Sequence, residues 1–327
     1  MTQDRPLLGI ALMLAFSAMA PFADAIAKIL GQTLPISLIV LFRFVAQLAI
    51  LLPVVMLTRR TWSFTPRVLR LSLIRTVLHI LGIGLMVAAL RVLPLADAIA
   101  IAFVLPFLML LLGKVFLNEE VGPRRLAACA VGFAGTLLIV QPSFQQVGWQ
   151  ALLPLAVAVN FAFFILVTRS VSKEIDPMAL QVVSGGMAVV ILLPLLGGYY
   201  LWAGQDSMPA APNLTEWALL ALMGVIGTVA HLLMTWSLRY APSTTLAPIQ
   251  YVELPMTTFV GWLIFSDLPN GLAALGITIS VSAGIYIILR ERAMLAPAKA
   301  PVPPAPALSA AASSASRARR TTDAAGR

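Results

Sequence analysis

Uninterrupted apolar runs of about 18–24 residues, each long enough to be a membrane-helix candidate, recur from Leu7 to Leu289 with short polar turns between them. Coiled at about 1.5 Å per residue, such a run crosses a hydrocarbon layer about 30 Å thick. Inside that layer every backbone polar group must find its partner within the protein, so only helices and closed barrels can span it. A barrel is built from ~10-residue segments that alternate apolar and polar residues. The runs here are continuous, which selects helices. Composition agrees, with 60% hydrophobic and 11% charged residues, against about 25% charged in soluble domains. The expected fold class is all-α integral membrane, with ten transmembrane helices at 7–26, 34–57, 70–90, 94–117, 124–141, 149–169, 178–201, 216–237, 243–265 and 271–289.

The first run has the look of a signal-peptide core, but Asp4 offsets Arg5, and Pro21 would open the mature chain before the apolar run resumes. A retained helix is the expectation. The net charge of +9 could suggest nucleic acid, but the basic residues sit in short loops and the tail, the pattern of membrane topology. With the N-terminus in the cytoplasm, only Lys28 and Arg91 fall outside, and Arg43 and Arg75 lie within spans. Both termini are therefore expected in the cytoplasm. The external loop near 201–215 carries Asp206 and no Lys or Arg. Beyond 291 the chain turns rich in Ala, Pro and Ser, a composition that cannot bury a core and reads as a disordered tail. The single Cys129 excludes an internal disulfide, and with two histidines no structural zinc site is expected. No cofactor or metal is expected.

The two halves match in order. Pro35-Ile-Ser-Leu38 corresponds to Pro177-Met-Ala-Leu180, and Leu90-Arg91-Val-Leu-Pro94 to Leu238-Arg239-Tyr-Ala-Pro242. Phe103 pairs with Tyr251, Pro106 with Pro255, Phe116 with Phe265 and Gly135 with Gly284. Each unit has five expected spans, so tandem copies must insert with opposite topology, an arrangement met in transporters. The expected division is a short N-terminus (1–6), repeat 1 (7–141), repeat 2 (142–290) and the tail (291–327).

The segments LRVLPLADAIAIAFVLPFLMLLLGKVFLNEEVGPRRL and LRYAPSTTLAPIQYVELPMTTFVGWLIFSDLPNGL resemble the two EamA domains of the drug/metabolite transporter superfamily. The second half, with its Ala-Pro turn, Gln250-Tyr251-Val252-Glu253 and Gly261-Trp262, is similar to the bacterial group that contains riboflavin and S-adenosylmethionine importers. Amino-acid and drug exporters share that fold. The resemblance covers about residues 7–290 and implies a ten-helix bundle in the bacterial inner membrane, with a central cavity lined by the first four helices of each repeat. It implies an acidic position at Glu119, for which Asp267 is the displaced counterpart in the second half.

Candidate functional residues are polar groups at depth. Counted from Pro242, Glu253 lies roughly 16 Å along its helix, near the bilayer midplane. A carboxylate there costs about 3 kcal/mol on insertion scales and commonly marks a substrate or proton path. Gln250 and Tyr251 lie beside it, with Pro248 and Pro255 flanking. Prolines free carbonyls and bend helices, which suits a gate. Arg43 is equally deep, and its fork fits a substrate anion or a structural bond to Glu253. Arg75 and His79 share a helix face. Arg75 lies near enough to its helix end to snorkel, while His79 and His231 are deeper groups that suit titration or packing. Asn160 offers a ligand hydrogen bond or interhelical glue; Trp236 and Phe103 offer flat surfaces. Asp24, Lys28 and Asp97 suit an external rim or gate.

Secondary transport of a small organic metabolite, riboflavin-like by resemblance, fits this inventory. Glu253 is the group that suits proton coupling. An integral membrane enzyme would show a convergent motif such as HExxH or GxSxG, and ATP drive would show a P-loop; neither occurs. A channel is the remaining class. Expected partners are a small-molecule substrate and the bilayer, with no nucleic acid, and the chain is expected as a monomer or weak homodimer.

Overall fold

Prolines at the first helical position, where the missing N–H costs nothing, open four of the long helices, at Pro6, Pro66, Pro123 and Pro177. The computed structural model describes residues 5–58, 65–204, 209–266 and 271–295. Helices α1 (Pro6–Gly31), α2 (Ile36–Leu57) and α3 (Pro66–Leu90) are followed by α4 (Leu95–Ala102), α5 (Leu105–Leu117) and α6 (Pro123–Val147). After a 3₁₀ turn, Gly148–Leu152, come α7 (Leu153–Ser172), α8 (Pro177–Ala203) and α9 (Leu214–Tyr240). The chain then runs through α10 (Ser243–Leu246), a 3₁₀ segment (Ala247–Val252), α11 (Glu253–Phe265) and α12 (Gly271–Leu295). Among the described residues there is no strand. Residues 1–290 form one compact unit; of the second, 291–327, only 291–295 are described, as the end of α12. Asp206, Asp267 and the tail beyond 295 lie outside the described residues.

Side-chain caps fix several starts. Thr65 accepts from the Val68 amide at α3, Asp176 from Met178 and Ala179 at α8, and Asn213 and Glu216 form a reciprocal capping box at α9. Seven helical stretches among the described residues are long and apolar enough to cross a membrane, taking α4–α5 as one and the 3₁₀ turn with α7. The segments expected at 124–141, 243–265 and 271–289 are helical too.

Two stretches are interrupted. The backbone breaks between α4 and α5, just before Pro106, and tightens to 3₁₀ geometry at 247–252, around Pro248. Both interrupted stretches end on a non-glycine residue in the left-handed region, Asn118 (φ 51°) and Ser266 (φ 58°). α1 packs most extensively on α9, α3 on α7, and α2 on α8. Small residues let the backbones close up, as membrane helices favour: Gly9 lies against Ala241 and Ser237, whose hydroxyl donates to the Gly9 carbonyl (2.7 Å).

The two ends of the bundle are tied alike. At one end Arg91 donates to the Leu34 carbonyl (2.6 Å), and Lys28 donates to the Leu93 carbonyl (3.1 Å) over the Phe265 ring. At the other, Arg239 donates to the Ile175 carbonyl (2.9 Å) and Arg169 to that of Leu238. There Glu119 accepts from the Ser243 hydroxyl (2.8 Å) and the Ser243 and Thr244 amides (3.2 and 2.9 Å), and pairs with Arg169 (3.5 Å). This clasp joins the end of α5 to α7 and to the turn after α9. Large apolar side chains such as Leu57, Leu201 and Trp202 project from the bundle surface.

Candidate functional site

Eight helices (α1 to α5, α7, α9 and α11) and the 3₁₀ segment line a cavity of about 150 Å³ in mid-bundle. Seven of the residues singled out in the sequence line it: Asp24, Arg43, His79, Phe103, His231, Gln250 and Glu253. Phe16 and Phe161 add flat apolar wall. Burying a polar atom without a partner is costly. Here the Arg43 Nη2, both His79 nitrogens, His231 Nδ1 and the Gln250 Oε1 are buried with no hydrogen-bond partner in the protein. Arg43, His79 and Gln250 are 4%, 2% and 1% exposed. All five orphaned atoms belong to residues that line this one cavity.

The other arm of Arg43 is anchored. Nη1 donates to Gln47 Oε1 (3.3 Å) and Thr228 Oγ1 (3.2 Å), and the expected alternative of a bond to Glu253 is not what holds it. Gly227 makes the space, since a methyl group there would overlap the guanidinium. One turn along α9 stands His231, whose ring lies 4.4 Å from that of His79. Phe44 and Phe164 close round His79 at 5.0 and 4.8 Å.

Arg75 departs from expectation. It is fully buried rather than snorkelling to a helix end. Its fork donates to Thr168 Oγ1 (3.0 Å), Ser184 Oγ (2.8 Å) and Gln181 Oε1 (3.3 Å), with Phe164 beneath it at 4.8 Å. Gln181 also accepts from Gln47 and donates to Thr235. Arg43 and Arg75 are thus joined through Gln47 and Gln181 by neutral partners. Those hydroxyls and amides were not singled out in the sequence. The available signal was the i, i+4 spacing of Arg43 and Gln47.

The charges fall into two sets. Arg43, Arg75, His79 and His231 act on one another electrostatically. Asp24 and Glu253 face the same cavity and act on each other. Asp24 was expected at a rim with Lys28; it lines the cavity together with Glu253 instead, and Lys28 is held at the bundle end.

The remaining candidates lie off the cavity wall. The Asn160 amide donates to the Leu78 carbonyl (2.8 Å), joining α7 to α3. Tyr251 is fully buried, donates to the Cys129 carbonyl (3.2 Å), and meets Phe103 at 5.6 Å. Its ring lies on Gly132, where a side chain would collide with it. Trp236 packs with Leu51, Val55 and Val182. Asp97 is in the first turn of α4, where an acid suits the helix dipole. Pro255 is in the first turn of α11. Among the described residues no three His, Cys, Asp or Glu side chains group as metal ligands.

The profile of the EamA-like transporter family matches residues 7–141 and again 148–290. The chain belongs to this family. Among its relatives, a riboflavin transporter of Rhizobium johnstonii is 35% identical over 67% of this chain and 70% of its own length. An S-adenosylmethionine uptake transporter of Rickettsia bellii is 25% identical over 84% and 90%, and a pseudopaline exporter of Pseudomonas aeruginosa is 26% identical over 86% and 94%. A crystal structure superposes with a TM-score of 0.64 at 19% identity, covering 87% of this chain and 98% of that one; it shares the fold. This EamA-family chain is a multi-pass membrane protein and a transporter of small metabolites rather than an enzyme.

Proposed function

We propose that this EamA-family chain moves a small, ring-bearing polar metabolite of the riboflavin type across the bacterial inner membrane by alternating access, with Glu253 as the proton-coupling group. The observation that carries the reading is the convergence of orphaned polar atoms on one mid-bundle cavity, supplied by both halves of the chain. Arg43 and His79 come from the first half, and His231 and Gln250 from the second.

The reading includes ten helices arranged as two inverted five-helix repeats with both termini cytoplasmic. Three features support it. The interrupted stretches, left-handed caps and carbonyl-clamping arginines recur in corresponding places of the two halves. The packing of α1 on α9 and of α3 on α7 is the same relation seen from each half. The clasp of Glu119, Arg169, Ser243 and Thr244 closes one end, which in this topology is the cytoplasmic end. A cavity of about 150 Å³ is smaller than the about 300–1,000 Å³ of ordinary ligand pockets, so substrate entry widens it from the external side.

The test is radiolabelled riboflavin uptake by purified protein in proteoliposomes. Saturable uptake, raised by an inward proton gradient, is expected for the wild type. Glu253→Gln abolishes the proton-driven accumulation and leaves riboflavin exchange measurable. Accumulation that survives the substitution unchanged makes Glu253 structural, and flux that never saturates removes the transporter reading. Loading from either face gives the direction.

A further inference from the structure

The lining of the cavity carries more than the statement that something binds. Its polar groups are sorted. On one part of the wall stand Arg43 Nη2 and the imidazoles of His79 and His231, all with buried, unpartnered nitrogens. Arg43 and Arg75 have neutral hydrogen-bond partners, so this region holds positive charge that no carboxylate offsets at contact range. On another part stand Asp24 and Glu253, acceptors in their ionised form, and the orphaned Gln250 Oε1, an acceptor. The wall also carries the aromatic rings of Phe16, Phe103 and Phe161, the first and last within 6.0 and 6.3 Å of the His231 ring.

We propose that the substrate is dipolar and flat, and that Arg43, with His79 and His231, reads its acceptor-bearing edge while Asp24 and Glu253 hold its donor-bearing end. This rests on the transporter reading above and narrows its substrate class. A guanidinium nitrogen fixed by its other arm donates in a set direction, and ring carbonyl or carboxylate oxygens are its natural acceptors. Carboxylates at the far end select hydroxyl or ammonium donors and reject a second anion, because like charges in a site of low dielectric repel strongly. A uniform polyanion leaves Asp24 and Glu253 opposed to its charge. A wholly apolar drug leaves the orphaned nitrogens unsatisfied. Both are excluded.

The experiment uses the full chain in nanodiscs and compares ligands that differ at one end. Riboflavin has ring carbonyls at one end and hydroxyl donors at the other; flavin mononucleotide replaces the last hydroxyl with phosphate. Wild-type protein is expected to bind riboflavin at least about tenfold more tightly than flavin mononucleotide, a difference of about 1.4 kcal/mol. Asp24→Asn with Glu253→Gln narrows that gap. Arg43→Gln weakens riboflavin and lumichrome, the ring without its polyol tail, by similar factors. Equal wild-type binding of the two flavins overturns the proposal, and so does an Arg43→Gln effect confined to the phosphorylated flavin. If riboflavin does not bind, S-adenosylmethionine and S-adenosylhomocysteine, whose thioether sulfur lacks the sulfonium charge, make the same comparison. A preference for the sulfonium form overturns the riboflavin reading and keeps this one. Binding of neither pair overturns both.

Discussion

At the scale of single residues, Arg43 and Arg75 differ in how far the protein satisfies them, and the proposed function gives binding to the first and architecture to the second. Both are buried cations in one polar network, but Arg75 spends its fork on Thr168, Ser184 and Gln181, while Arg43 keeps one nitrogen unpartnered on the cavity. Arg75→Met is expected to lower unfolding stability by about 2 kcal/mol or more, because hydrogen bonds to charged groups contribute about 1.5–3 kcal/mol each. Arg43→Met is expected to cost less stability and more ligand affinity. Thermal unfolding and ligand titration on the same preparations check the pair; an Arg75→Met protein of unchanged stability contradicts the assignment. The depth of Arg43 and Glu253 was legible in the sequence, because a charge inside an apolar run stands out. The burial of Arg75 was not, since a residue near a helix end can reach solvent or turn inward, and only packing against α7 and α8 decides. The same limit hid the His79–His231 pair, whose members lie on α3 and α9. Asp24 and Glu253 were each visible as acids, yet their sharing one cavity depends on how α1 lies against the interrupted stretch.

Among the elements, the interrupted stretches matter most. Pro106 and Pro248 mark them in the sequence, and Glu253 follows the 3₁₀ segment directly. The end clasps were not legible, because they hang on backbone carbonyls that every residue has. Glu119 is the exception, since the family resemblance pointed to it without saying what it does. Its carboxylate holds the Ser243 and Thr244 amides where the chain re-enters the bundle. Glu119→Gln weakens that hold by removing a charge from the hydrogen bonds. Hydrogen exchange at those amides is then expected to accelerate several-fold relative to the α3 interior, as the clasped end opens more often. Unchanged protection means that the clasp does not control that end.

For the whole molecule, the continuous apolar runs already determined a helical membrane protein, and the matched half-sequences pointed to a repeat. What the sequence could not supply was the enclosure, because a cavity is set by the mutual placement of helices far apart in the chain. The central claim is that one mid-bundle site is exposed alternately to the two sides. Counterflow tests it most directly: proteoliposomes preloaded with unlabelled riboflavin are diluted into a trace of labelled riboflavin without a proton gradient. The account predicts a transient overshoot of label inside, because a carrier that has delivered one molecule returns faster when loaded with another. Entry of label at the same rate into preloaded and empty vesicles, with no overshoot, would contradict it.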